Sequence, residues 1–184
     1  MISSEEFSSA LRGAWRLLNR DPGGYQDFQL DRTGLWHSFT AVVIVAPLYL
    51  FLMATTYGIQ ADPPVALSYP HALVGLLLEW AGFVALAMAA TRLMEKPHRF
   101  TPLVVAYNWS SVLIVTAMIP AALLFRYGLF NANSMIAWTI VINLIGLYYR
   151  WYIARTALGS SGQAAAAFVA ADVAISLTID FLVT

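Results

Sequence analysis

The sequence contains no cysteine, and it has few charged residues. The lack of cysteine excludes disulfides, thiolate metal sites and thiol nucleophiles. Charged side chains make up 11% of the chain and hydrophobic ones 60%, whereas a soluble domain is about 25% charged. The mean hydropathy is +0.68. Because so little polar surface cannot cover a core in water, the composition predicts an integral membrane protein.

Residues that carry enzyme chemistry are also scarce. None of the three histidines lies deep inside an apolar segment, and scattered histidines without cysteine give no metal-ligand spacing. Residues 159–162 contain the Gly-x-Ser-Gly string of rhomboid-type proteases, but the histidine base that such a serine needs is absent, so we interpret them as a flexible linker. Basic and acidic residues balance at ten each, without a basic block that would bind nucleic acid. The sequence thus predicts no catalytic or metal-binding residues and no nucleic-acid partner, and it identifies no cofactor.

Five apolar segments are long enough to cross a membrane, which takes about 20 residues. They cover about residues 38–57, 71–91, 101–125, 133–151 and 163–183. We therefore expect an all-α integral membrane protein with five transmembrane helices in a bundle (residues 37–184). Residues 1–36 would form a cytoplasmic segment that contains an amphipathic interfacial helix.

The basic residues predict the orientation of the bundle. Nine of the ten Lys and Arg residues precede the first span, lie between the second and third, or follow the fourth, and only Arg126 lies on the other side. In this assignment Arg150 sits at the end of the fourth span. The positive-inside rule then places the N-terminus in the cytoplasm and the C-terminus outside. We expect the protein in a bacterial inner membrane.

The N-terminal segment has the pattern of an amphipathic helix. Ser3 and Glu6 form a plausible capping box, and residues 21–24, Asp-Pro-Gly-Gly, end the helix. Its apolar stripe includes Trp15, and the other side carries the arginines Arg12, Arg16 and Arg20. We favour a helix that lies on the cytoplasmic membrane surface, with these four residues at the lipid interface. The alternative is a helix packed against the cytoplasmic ends of the spans.

Glu79 is the one charged residue inside the second span. A charge at the bilayer centre costs about 2.5–3.5 kcal/mol on insertion scales. At about 100° per residue, Glu79 shares a face with Gly75 and Gly82, while Leu77 lies opposite with Trp80 towards it. Because small residues allow close helix approach, we expect Glu79 to face the bundle and Trp80 to turn towards lipid.

Further polar residues fall at a similar depth. Asp172 and Asn143 lie near mid-membrane, Tyr107 and Asn108 lie nearer the cytoplasm, and no Lys or Arg is expected there. We therefore expect at least one of the two acids to hold a proton, whereas Asp180 would reach external water. These groups either tie helices together, at about 0.6 kcal/mol per hydrogen bond, or form a proton relay or substrate site. We favour ties.

The arrangement of the chain resembles the bacterial branch of the Yip1-like family. The resemblance covers about residues 10–184 and rests on five spans, the segment ending in RDPGG, and a third span that opens PLVVAYNWSS after a basic loop. Where the family has Gly-Tyr followed by Pro, this chain has Ala106-Tyr107 and then Ser110 or Ser111, so Tyr107 alone carries over. The resemblance implies a non-enzymatic helper of membrane organisation, of a kind that binds GTPases in eukaryotic members.

Two classes of function follow. In the first, which we favour, the protein is a non-catalytic accessory or scaffolding subunit, or a membrane organiser, whose partners are lipids and other membrane proteins. In the second, it is a small proton-coupled transporter that uses the Glu79–Asp172 layer. Inverted repeats would favour the second class, but five spans cannot divide evenly into two.

Overall fold

A computed structural model describes residues 2–57 and 68–183, and this part of the chain is helical. The α-helices are α1 (Ser4–Leu18), α2 (Arg32–Ser38), α3 (Thr40–Tyr57), α4 (Tyr69–Leu93), α5 (Phe100–Arg126), α6 (Ala132–Leu158) and α7 (Gly162–Val183). Short 3-10 helices cover Pro22–Asp27 and Pro97–Arg99.

Five helical stretches are long and apolar enough to span a membrane: α2 with α3, then α4, α5, α6 and α7. The predicted all-α membrane protein with five spans and an N-terminal helix is therefore confirmed. One boundary differs, because α6 continues to Leu158 instead of ending near residue 151. It ends where Gly159 adopts a left-handed conformation (φ 54°), which glycine reaches without steric cost.

The five spans form a ring in the order α3, α5, α6, α7, α4, and α4 closes it with weaker contacts to α3 and α5. The approach of α4 to α7 depends on Gly82, where an added Cβ would lie 2.7 Å from Cγ2 of Ile175. A glycine at this point lets the two backbones come together, as small residues do in other membrane bundles.

The N-terminal segment packs onto one end of this ring. Ala10, Ala14 and Leu17 of α1 are buried in the same hydrophobic cluster as residues of α5 and α6. The ring of Phe7 meets that of Trp109 edge-on, with centroids 5.6 Å apart, and the Tyr149 hydroxyl donates to the Ala14 carbonyl. The structure thus supports the alternative interpretation, in which α1 packs against the ends of the spans. A lipid contact of its outer face stays a prediction.

We call the end of the ring on which the N-terminal segment packs the basic end. The α4–α5 and α6–α7 connections meet there, since Lys96 Nζ donates to the carbonyl oxygens of Leu158 (3.1 Å) and Gly159 (3.0 Å). Residues 159–162 are not the expected flexible linker. They form a tight turn in which Ser161 Oγ accepts from the Ala164 N–H at 3.2 Å, because the left-handed Gly159 and the Ser161 cap join two helices directly.

Candidate functional site

Arg150 and Asp172 form an ion pair inside the bundle. Arg150 Nη1 lies 3.3 Å from Asp172 Oδ2, and the Asp172 side chain is only 4% exposed. Arg150 lies eight residues before the end of α6, or about 12 Å along its axis. The expectation that no Lys or Arg lies at this depth is therefore wrong. It failed because the predicted fourth span ended at Arg150, whereas the helix runs on to Leu158.

Glu79 lies on the face of α4 that meets α7. Added Cβ atoms on its neighbours Gly75 and Gly82 would lie 3.7 Å from Val183 and 2.7 Å from Ile175. This antiparallel alignment puts Asp180 opposite Glu79, and the two carboxyl groups interact. Asp180 is exposed near the end of α7, yet it is the partner of Glu79.

Asn108 belongs to a buried chain of hydrogen bonds. Trp80 Nε1 donates to Asn108 Oδ1, and Asn108 Nδ2 donates to Ser38 Oγ, each at 2.8 Å. Ser38 Oγ in turn donates to the Leu35 carbonyl at 2.7 Å. The expectation that Trp80 turns towards lipid is wrong, because its side chain is 8% exposed. The helix α4 packs against α7 on one side and α5 on another, so its buried surface is wider than the glycine face alone.

A cavity of about 390 Å³ lies between α3, α4, α5 and α6. Glu79, Tyr107, Asn143 and Arg150 contribute polar groups to its wall, and Asn143 Nδ2 donates to the Thr139 carbonyl of its own helix at 2.8 Å. The rest of the wall is mostly apolar. The structure thus brings three of the five predicted layer residues to one cavity, while Asp172 lies behind Arg150 and Asn108 ties helices together.

Tyr107 connects the cavity to the ion pair. Its ring stacks on that of Phe83, with centroids 3.4 Å apart, and the Arg150 guanidinium carbon lies 5.0 Å from its centroid. Its hydroxyl interacts with Asp172. A cation near an aromatic face is attracted by the ring quadrupole, so Tyr107 helps to hold Arg150 at the cavity wall.

The residues predicted at the lipid interface mostly bond within the N-terminal segment. Arg12 contacts Asp27 at 3.1 Å, and Arg16 contacts Asp21 at 2.6 Å and Asp27 at 2.7 Å. The hydrogen bonds from Arg16 hold the pKa of both aspartates below the usual range. Arg20 lies 4.8 Å from the ring centroid of Tyr148, and Trp15 is 59% exposed. Their contact with lipid stays a prediction.

Sequence reasoning missed the roles of Arg150, Asp180 and Trp80. A signal for Arg150 was present, because the aromatic and apolar run after it continues without a helix-breaking residue until Gly159.

Within residues 2–57 and 68–183, no three His, Asp or Glu side chains are placed to hold a metal ion. Comparison of the chain with protein-family models, with curated proteins and with solved structures finds no match.

Proposed function

We propose that this membrane protein binds a small solute in the cavity between α3, α4, α5 and α6, and carries it across the membrane together with a proton. The observation that carries this proposal is the presence of Glu79 and Arg150 on the wall of one intramembrane cavity. Ionisable residues within spans are costly, and they commonly mark substrate and proton pathways.

The polar contacts of the bundle divide into two kinds, and only one of them requires a further function. The Trp80–Asn108–Ser38 chain is buried and hydrogen-bonded throughout, as a tie between helices should be. The Arg150–Asp172 pair also joins two helices, but the Arg150 side chain remains 28% exposed. An ion pair with a purely structural role would be more stable if side chains filled the space beside it, because an unfilled space lacks dispersion contacts.

Glu79 places a carboxyl group on the cavity wall, and ionisable residues within spans commonly serve in proton relays. Glu79 also interacts with the carboxyl group of Asp180, across the contact between α4 and α7. The orientation follows from charge: leaving out Arg126 and Arg150, eight of the ten basic residues lie at the basic end. We therefore place that end in the cytoplasm of a bacterial cell, in the inner membrane.

An accessory or organising role is the second candidate, and the surface of α6 favours it. Large apolar residues cover most of the half of α6 away from the basic end: Ile136, Trp138, Ile140, Val141, Leu144 and Ile145 are 37–61% exposed. Such a surface suits a helix of another membrane subunit as well as lipid. The Yip1-like resemblance belongs to this class of function.

Filling the cavity tests the first candidate. Val115 lines the cavity, whereas Val141, on α6, is 51% exposed on the outside, so Val115→Trp and Val141→Trp form a matched pair. Thermal stability of the purified protein would be measured against a panel of small solutes. We expect one chemical class to stabilise the wild type and Val141→Trp, but not Val115→Trp.

Purification from native membranes separates the two candidates. A solute carrier should purify without other subunits and respond to a solute through its cavity. If no solute stabilises the wild type, and the protein instead elutes within a larger assembly, the accessory role replaces the first proposal.

A further inference from the structure

Arg150 has donors to spare at the cavity wall. A guanidinium carries five N–H donors, and among the residues that the structure describes, Arg150 donates one hydrogen bond, to Asp172 at 3.3 Å. This is longer than the 2.7–2.9 Å of a strong charge-assisted bond. The bond to Asp172 is therefore weak, and an acceptor in the cavity can take the guanidinium over from Asp172.

The rest of the cavity limits what that acceptor is attached to. Half of the described residues on the wall have aliphatic or thioether side chains, among them Val45, Leu52, Leu76, Ile114, Val115 and Met118. The volume, about 390 Å³, is near the lower end of the 300–1,000 Å³ usual for ligand sites. Among the residues that the structure describes, Arg150 is the only cationic side chain on this wall, so one negative charge on the solute balances it. A small molecule with an apolar body and one carboxylate fits these features best.

Binding of an anion changes the surroundings of Asp172. The charged or titratable groups that face it are Arg150 from α6, Tyr107 from α5 and, more weakly, Glu79 from α4; Tyr49 of α3 faces Glu79. When a carboxylate solute takes over the guanidinium, Asp172 loses its ion pair with Arg150. A buried carboxylate without a counter-charge takes up a proton, because burial disfavours the charged form. One anion and one proton then enter together, and the net charge of the site is unchanged.

We propose that the cavity binds a small monocarboxylate through Arg150, and that the solute displaces Asp172, which takes up the accompanying proton. This inference rests on the proposed function, since it names the solute class and the coupling residue of the same cavity. Arg150 binds the solute directly, whereas Asp172 influences solute binding through its ion pair with Arg150.

Three probes with the same apolar body test the solute class: hexanoate, hexylammonium and hexanol. Binding to the purified protein in nanodiscs would be measured by calorimetry, in two buffers of different ionisation enthalpy, which reports proton uptake. We expect hexanoate to bind best, with about one proton taken up per solute. Arg150→Gln should weaken hexanoate binding about tenfold or more, because charge-assisted hydrogen bonds are about twice as strong as neutral ones. Arg150→Lys should restore part of it.

Asp172→Asn separates the coupling from the binding. This variant should still bind hexanoate but take up no proton, and it keeps the test decisive if Arg150→Gln fails to fold. Equal hexanoate binding by wild type and Arg150→Gln, or undiminished proton uptake by Asp172→Asn, would overturn the inference. Preference for hexylammonium would move the solute site to Glu79 and Asp180, leaving the carrier function intact. Hexanoate binding that persists in Val115→Trp would mean that the cavity is not the site, and both proposals would then be wrong.

Discussion

Replacing Asn108 by Leu should destabilise the bundle, because it removes the polar centre that joins α2, α4 and α5. Asn108 is fully buried, with hydrogen bonds of 2.8 Å to Trp80 and to Ser38. A lost partner for a buried donor costs about 1–3 kcal/mol in soluble proteins. Within membranes the average is about 0.6 kcal/mol per bond and the maximum about 1.7, since unfolded helices there also find partners. The loss of two hydrogen bonds should therefore lower the free energy of unfolding by about 1–3 kcal/mol.

Asn143→Leu is the matched control. Asn143 also lies in the middle of a span, but the hydrogen bond that its amide donates among the described residues goes to Thr139 of its own helix, so the same substitution should cost less than about 0.5 kcal/mol. A double-mutant cycle of Asn108→Leu with Trp80→Phe isolates one bond and should give a coupling of about 0.6–1.7 kcal/mol.

The absence of cysteine provides the assay. Ala87 is 0% exposed, so a single Ala87→Cys, present in every variant, would react with a thiol reagent only after the bundle opens. The fraction of protein that is labelled is plotted against the SDS concentration, and this curve gives the free energy of unfolding. If Asn108→Leu and Asn143→Leu cost the same, or the coupling is below about 0.3 kcal/mol, the error expected for independent sites, the hydrogen-bonded chain does not hold the helices together.

Three further predictions follow from the packing, the charges and the N-terminal ion pairs. Gly82→Ala should cost about 1–3 kcal/mol in the same assay, because its Cβ would lie 2.7 Å from Ile175. Gly75→Ala, with its nearest atom at 3.7 Å, should be nearly neutral; equal losses would mean that α4 and α7 do not meet at Gly82. A C-terminal alkaline phosphatase fusion should be active and a GFP fusion dark, and the reverse result would contradict the orientation. Because the folded pKa of Asp27 is lowered by Arg16, its contribution is present above the unfolded value of about 3.9 and is lost as pH falls below it. Protease cleavage of α1 should therefore rise below that pH, and less steeply in Asp27→Asn; an unchanged pH profile in that variant would exclude the ion pair as the cause.

The number and type of the spans could be predicted from the sequence, because the cost of leaving backbone polar groups unpaired in lipid acts on each segment separately. A run of about 20 apolar residues forms a helix across the membrane whatever its neighbours do. The N-terminal helix, Ser4–Leu18, follows in the same way from its Ser3 cap, whose Oγ accepts from the Glu6 N–H at 3.1 Å.

The partners of the polar residues were decided by the tertiary structure. The sequence predicts Arg150 at a span end, but the eight residues that follow it in α6 bring it inside the bundle beside Asp172. The sequence places Glu79 and Asp172 at a similar depth and leaves open which groups they meet, and the alignment of α4 with α7 at Gly82 brings Asp180 opposite Glu79.

Sequence alone therefore determined which segments enter the membrane and which residues are costly there, since both follow from the transfer of single side chains and single helices. Only the tertiary structure decided which of those residues meet. A contact between helices depends on their relative shift and rotation, and these are set by packing at positions far along the chain, such as Gly82 against Ile175. Asp172 and Asp180 lie eight residues apart in α7, so a shift of about two turns, about 12 Å, exchanges one carboxylate partner for the other.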